Sequence, residues 1–175
     1  MSNDTIETGE RSDLLSTLAQ HRQFLRFTAR DLDDEQATQR TTMSELTIAG
    51  VIKHVAAQEE HWASFIVAGA SPADDFDAMT EQDRARYADE FRLLPGETLA
   101  GVLEHYAQVA ARTDDLVRSL PDLNVANPLP QAPWFPPGAQ WSARQVLLHV
   151  LAETAQHAGH ADIIREALDG AKTMG

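Results

Sequence analysis

The 175-residue chain contains no cysteine. That absence removes disulfides, thiolate zinc sites, iron–sulfur clusters and a cysteine nucleophile together. Any metal must be held by His, Asp or Glu, and any thiol chemistry needs a thiol from outside. Long apolar runs are also missing, since nowhere do about 18 apolar residues follow one another as a membrane helix requires. The opening Met1 to Arg11 has neither the basic start nor the apolar stretch of a signal peptide, so a soluble, cytoplasmic protein is expected. Basic residues are few: 14 Lys and Arg against 27 Asp and Glu leave a net charge of −13. Such a surface neither neutralises phosphates nor seeks anionic lipid, so no nucleic acid and no membrane is expected as partner. There is no internal repeat, no Gly-rich phosphate loop and no Gly-x-Ser-x-Gly elbow.

What the chain does contain is helical periodicity. The length suits one domain spanning 1–175, with residues 1–11 as a flexible leader. A first amphipathic helix is expected from Ser12 or Asp13, with Leu14, Leu18, His21, Leu25 and Leu32 on its buried stripe and Phe24 and Phe27 beside it. On that stripe His21 reads as a core histidine. Asp33-Asp34-Glu35 then suits a turn or a new helix start. The second helix is capped by Ser44 or Thr47, runs through Ile48, Val51, Ile52, Val55, Trp62, Phe65 and Ile66, and stops at Gly69. His54, Gln58 and His61 interrupt its apolar face, with Glu59 and Glu60 alongside.

Residues 70–96 break the pattern. Ser71-Pro72 ends the helix, Asp74, Asp75 and Asp77 form an acidic loop, and Thr80 to Phe91 suit a short polar helix. The acidic loop lacks the Gly and closing Glu of an EF-hand and reads as solvated. From about Glu97 to Leu120 the heptad seam Leu99, Val102, Tyr106, Val109, Thr113, Leu116 and Leu120 marks a bundle helix, with His105 off the seam and exposed. Pro121 ends it. A Pro-rich crossover follows, in which Trp134 and Phe135 either wall a pocket or pack as part of the connection.

The last segment, Trp141 to Gly170, reads as one long helix. Ser142 and Gln145 form a capping-box start, and Gly170 is a left-handed stop. Val146, Val150, Ile164 and Leu168 mark its core stripe, but Glu153 and His157 fill the middle. At about 100° per residue, His149, Glu153, His157 and His160 share an arc of roughly 80°. A carboxylate and an imidazole four residues apart project side by side and can hold one divalent cation. Four ionisable groups on one face need a metal, a wet cavity or one another; a satisfied polar core or a solvated face is the competing reading. Four long amphipathic segments without strand signals specify an all-α four-helix bundle, with a short excursion between helices 2 and 3. A second core-lining helix must complete a metal set, and His54 is its best donor. Three protein ligands leave positions open for water or substrate.

Two segments carry a family resemblance: Leu46-Thr-Ile-Ala-Gly-Val-Ile-Lys-His54-Val-Ala-Ala-Gln-Glu-Glu-His-Trp62, and Trp141 onward through Glu153-Thr-Ala-Gln-His157-Ala-Gly-His160. In these the chain resembles the DinB-like metal-binding four-helix bundles, in particular the branch with mycothiol-dependent maleylpyruvate isomerase and thiol S-transferases. Many members have His-x-x-x-His on the last helix, whereas this chain has Glu-x-x-x-His and resembles the isomerase branch in its His, Glu and His set. The resemblance implies His54, Glu153 and His157 as ligands and zinc as the metal, although such a set also accommodates nickel, iron or manganese. The isomerase has a further C-terminal domain, whereas the sequence here ends just after the metal helix, so isomerase activity is not expected to carry over.

The leading expectation is a divalent-metal-dependent transferase in which a metal-bound low-molecular-weight thiolate, such as that of mycothiol, attacks an electrophilic substrate. His61, His149 or His160 would orient ligands or shuttle protons. Two alternatives stand beside it. One is a metal-dependent hydrolase that activates bound water. The other is a non-catalytic metal-binding stress-response module, forming a homodimer through an apolar helix face.

Overall fold

The computed structural model describes residues 9–173. Its helices are α1 (Glu10–Phe27), α2 (Asp34–Ala37), α3 (Ile48–Ala68), α4 (Glu81–Asp89), α5 (Leu99–Ser119) and α6 (Ala143–Asp169). Two short strands, β1 (Ala126–Pro128) and β2 (Gln140–Ser142), pair antiparallel with Asn127 opposite Trp141. The four long helices form the bundle: α1 lies on α6, and α3 lies on both α5 and α6. The all-α four-helix-bundle reading holds, with a correction. The Pro-rich crossover is closed by a strand pair, each strand only three residues long and therefore too short for any alternation to register in the sequence.

The caps explain why the long helices start where they do. Thr47, Thr98 and Ser142 each accept a hydrogen bond from the backbone N–H three residues on, at Gly50, Gly101 and Gln145. Gly69 and Gly170 stop α3 and α6 at positive φ, 75° and 78°, which glycine adopts without a Cβ clash.

The first helix begins earlier than its apolar stripe suggests. Residues 1–8 of the expected leader lie outside the described residues, but Glu10 and Arg11 are helical. Arg11 donates to the carbonyls of Val117 and Leu120 at the end of α5, and Glu10 pairs with Arg144 on α6. These polar ties extend α1 without any apolar signal. Its end is also corrected: α1 stops at Phe27, so Leu32 packs on the core from the following turn. Position 21 is corrected too, because His21 is only half-buried while its neighbour Arg22 is 5% exposed.

The core has two apolar clusters. One gathers Leu25, Ile52, Val55 and Ala161; the other gathers Leu18, Trp62, Val117 and Val146. A polar belt lies between them along every long helix, made of Arg22, Glu59, Thr113 and Thr154, all buried. Buried charge of this kind needs partners. Arg22 finds them in Glu59 and Asp114.

Candidate metal centre

His54 stands on α3 among buried neighbours and is itself 3% exposed. Glu153 and His157, one turn apart on α6, are half-buried. The packing of α3 on α6 brings the three together, one ligand atom from each lying within 4.8 Å of the others. Among the described residues this is the group that could hold a metal ion. The bundle thus brings His54 next to the Glu-x-x-x-His pair.

The donor set fits a divalent transition metal. Two imidazoles and one carboxylate are borderline and hard donors suited to zinc, nickel or iron. Glu153 Oε2 already stands 3.5 Å from His157 Nε2, about the separation of two ligands on one ion with bonds near 2.0–2.2 Å. The hydrogen bond from His157 holds the Glu153 carboxyl below the usual range, with the charges of His149, His157 and His54 helping against burial, so the carboxylate is ionised and ready to ligate.

The outer contacts of the two histidines differ. His157 Nδ1 lies 3.4 Å from His160 Nδ1. His54 Nδ1 instead lies 3.3 Å from Glu90 Oε2. The His54 ring is stacked on Phe91 at 3.9 Å, with Tyr87 edge-on at 6.1 Å. These three residues belong to α4 and the turn after it, the stretch that reads as a polar excursion in sequence. No residue of α4 is buried, so no apolar periodicity marks it as part of a site. The backbone of the stretch comes closest to α3 at Gly50, where an added Cβ would fall 1.9 Å from the Phe91 carbonyl oxygen.

The remaining histidines separate. His149 sits one turn before Glu153, its ring between Trp62 at 4.9 Å and Trp141 at 5.0 Å. Burial lowers its pKa, with Glu153 opposing, so it is neutral near pH 7. His61 is 3.8 Å from Asp74 and edge-on to Trp62, and it is not part of the converging group. His105 is exposed beside Glu60, as expected. Trp62, Trp141 and Phe135 form an aromatic wall next to His149, while Trp134 stands 62% exposed against Phe76. The crossover thus supplies both a packed residue and an exposed one.

No described helix is long and apolar enough to cross a membrane. Solved structures with the same fold are distant in sequence. A Bacillus subtilis protein, YfiT, described as a probable metal-dependent hydrolase with an unusual four-helix bundle topology, is 14% identical; the alignment covers 94% of this chain and 90% of that one with a TM-score of 0.63. A conserved protein from Enterococcus faecalis is 11% identical, with 94% and 100% of the two chains covered and a TM-score of 0.65. None of the curated proteins compared matches the chain. The sequence model of the mycothiol S-transferases, in contrast, matches residues 13–170 and takes in all of α3, α4, α5 and α6. The chain belongs to the mycothiol S-transferase family, on a DinB-like four-helix bundle.

Proposed function

We propose that the protein is a metal-dependent S-transferase that joins a low-molecular-weight thiol, mycothiol in the first instance, to an electrophilic substrate. The observation that carries this reading is the convergence of His54, Glu153 and His157 within 4.8 Å in a chain that has no thiol of its own. These three residues would hold the ion, and zinc is the metal we favour. When bound, a divalent metal supplies Lewis acidity that favours the thiolate over the thiol near neutral pH.

The rest falls to the chain. Glu153 stays ionised, and His160 keeps the His157 ring turned so that Nε2 faces Glu153. His149, neutral and one turn from Glu153, is placed to take the thiol proton. The sulfur then forms a bond to the electrophilic carbon, and the leaving group departs with the electron pair of the broken bond. Tyr87, Phe91, Trp62 and Trp141 line the surroundings with aromatic surface that limits water. We place the reaction in the cytoplasm. A homodimer through the exposed Leu148 and Ile163 of α6 belongs to the same proposal and is checked by sedimentation.

Tag-free protein and a His157→Ala variant would be analysed for bound metal, then assayed with mycothiol and a chlorinated aromatic electrophile. About one zinc per wild-type chain, lost in the variant, with turnover that needs both thiol and metal, supports the proposal. No uptake of metal on reconstitution sinks it. Turnover of an ester or amide without any thiol would replace it with a hydrolase.

A further inference from the structure

The segment from Tyr87 to Glu97 looks unremarkable in sequence, yet it is fastened to α3 around His54 from several directions. Glu90 Oε2 lies 3.3 Å from His54 Nδ1 and accepts a hydrogen bond from Gln58 Nε2 at the same distance. One turn before His54, the Phe91 carbonyl occupies the space a Cβ would need at Gly50. Lys53, next in sequence to His54, donates to the Arg92 carbonyl at 3.1 Å and to Glu97 Oε2 at 2.7 Å. Glu97 Oε2 also accepts the Leu94 N–H at 2.7 Å. The Phe91 ring covers one face of the imidazole.

An ionised carboxylate can only accept a hydrogen bond. The nitrogen that faces it must therefore carry the ring proton, which leaves the other nitrogen with its lone pair. Glu90 is not among the residues whose donor atoms converge. Its contact is with Nδ1 of a converging ligand, and its 25% side-chain exposure leaves it less solvated than a surface carboxylate. Phe91 stacks on one face of the ring, and Tyr87 stands edge-on to it.

We propose that Glu90 is a positioning residue: it fixes His54 as the Nδ1–H tautomer and holds its ring so that Nε2 faces Glu153 and His157. The inference rests on the metal reading of the site and not on the identity of the thiol. It makes the two histidines unequal. His54 is oriented by a carboxyl group from another element, and His157 by the imidazole of His160 on its own helix.

The test begins on the metal-free, full-length protein with 15N-labelled histidine, in which long-range 1H–15N spectra report each ring's tautomer. Wild type should show His54 protonated at Nδ1. Glu90→Ala should lose that preference, and Glu90→Gln, whose amide oxygen still accepts, should keep it. Zinc affinity by competition with a chromophoric chelator should fall about 10–100-fold in Glu90→Ala and less in Glu90→Gln. His105→Ala, an exposed histidine outside the site, should bind as wild type does. A Glu90→Ala protein that retains the Nδ1–H tautomer and binds zinc within about threefold of wild type overturns the proposal. So does a cobalt-substituted Glu90→Ala protein whose visible spectrum changes as it does in His157→Ala, because Glu90 would then be a ligand itself. If wild type takes up no zinc at all, the metal reading fails, while the tautomer comparison still decides the role of Glu90.

Discussion

Arg22 on α1 and Glu59 on α3 form a two-pronged ion pair inside the bundle, Nη2 to Oε1 at 2.5 Å and Nε to Oε2 at 3.1 Å. Glu59 is fully buried, and Asp114 on α5 takes the third guanidinium nitrogen at 2.7 Å. Burial alone would lower the pKa of Arg22, but the two carboxylates outweigh it and raise it. The pair ties three helices at the level where the two apolar clusters meet.

Breaking one side of this pair should be costly. Glu59→Ala is expected to lose about 3–5 kcal/mol in urea unfolding, because a buried guanidinium is left with Asp114 alone. Replacing both partners, Arg22→Met with Glu59→Leu, should recover most of that loss. A single-variant cost below about 1 kcal/mol would mean that the pair is solvated.

Tyr106 makes the opposite prediction. It is fully buried, and its hydroxyl has no hydrogen bond of normal geometry; the Thr154 hydroxyl beside it donates to the Val150 carbonyl at 2.8 Å. Burial and the nearby Glu59 charge push its pKa well above the free tyrosine value of 10.0. The folded state therefore favours the neutral phenol. Its contribution is complete below about pH 10 and is lost as pH rises through the raised value, by about 1.4 kcal/mol per unit. Tyr106→Phe should show a smaller alkaline loss than wild type, and at neutral pH it should be within about 1 kcal/mol of wild type or more stable. Urea midpoints from about pH 8 to pH 11 decide it. Tyr87, also raised by burial, is common to both proteins and cancels in the difference.

Gly50→Ala tests the docking of the α4 segment. The added methyl would meet backbone atoms, the Phe91 oxygen at 1.9 Å and carbon at 2.6 Å, so no side-chain rotation relieves it. A loss of about 1–3 kcal/mol is expected, despite alanine's better helix propensity. Hydrogen exchange should rise in residues 87–92 more than in α6. Unchanged exchange there would show that α4 is not held through this contact.

Metal should stabilise the fold measurably. Zinc at about 100 times its dissociation constant adds about 2.7 kcal/mol, which for a chain of this size raises Tm by about 5–10 °C. A chelator should reverse the shift, and His157→Ala should abolish it. An equal shift in wild type and variant would assign the effect to binding elsewhere.

The sequence makes α3 and α6 legible because their stripes are long, capped and interrupted at the positions that matter. His54, Glu153 and His157 are polar residues where the period demands apolar ones, and that conflict points to a site. Glu90 carries no such conflict. It closes a short polar helix on which an acidic residue is ordinary, and its contact with His54 comes from a docking of that segment on α3 that no periodicity encodes. Glu59 is obscured for a related reason. It sits among Glu60 and His61, so its local pattern suggests a solvated patch, while its partner Arg22 lies on another helix beside a histidine that takes the stripe position.

Two of the three candidate ligands stand on α6, the last helix, which packs on α1 and α3. A nascent chain leaves the ribosome N-terminus first, so His54 emerges well before Glu153 and His157. Until α6 follows, α1 and α3 lack the partner they share, and His54 has no second donor to chelate with. A chain stalled or cleaved before α6 would therefore lack both the helix that α1 and α3 share and two of the three candidate donors, so core closure and assembly of the donor set are coupled to the same helix.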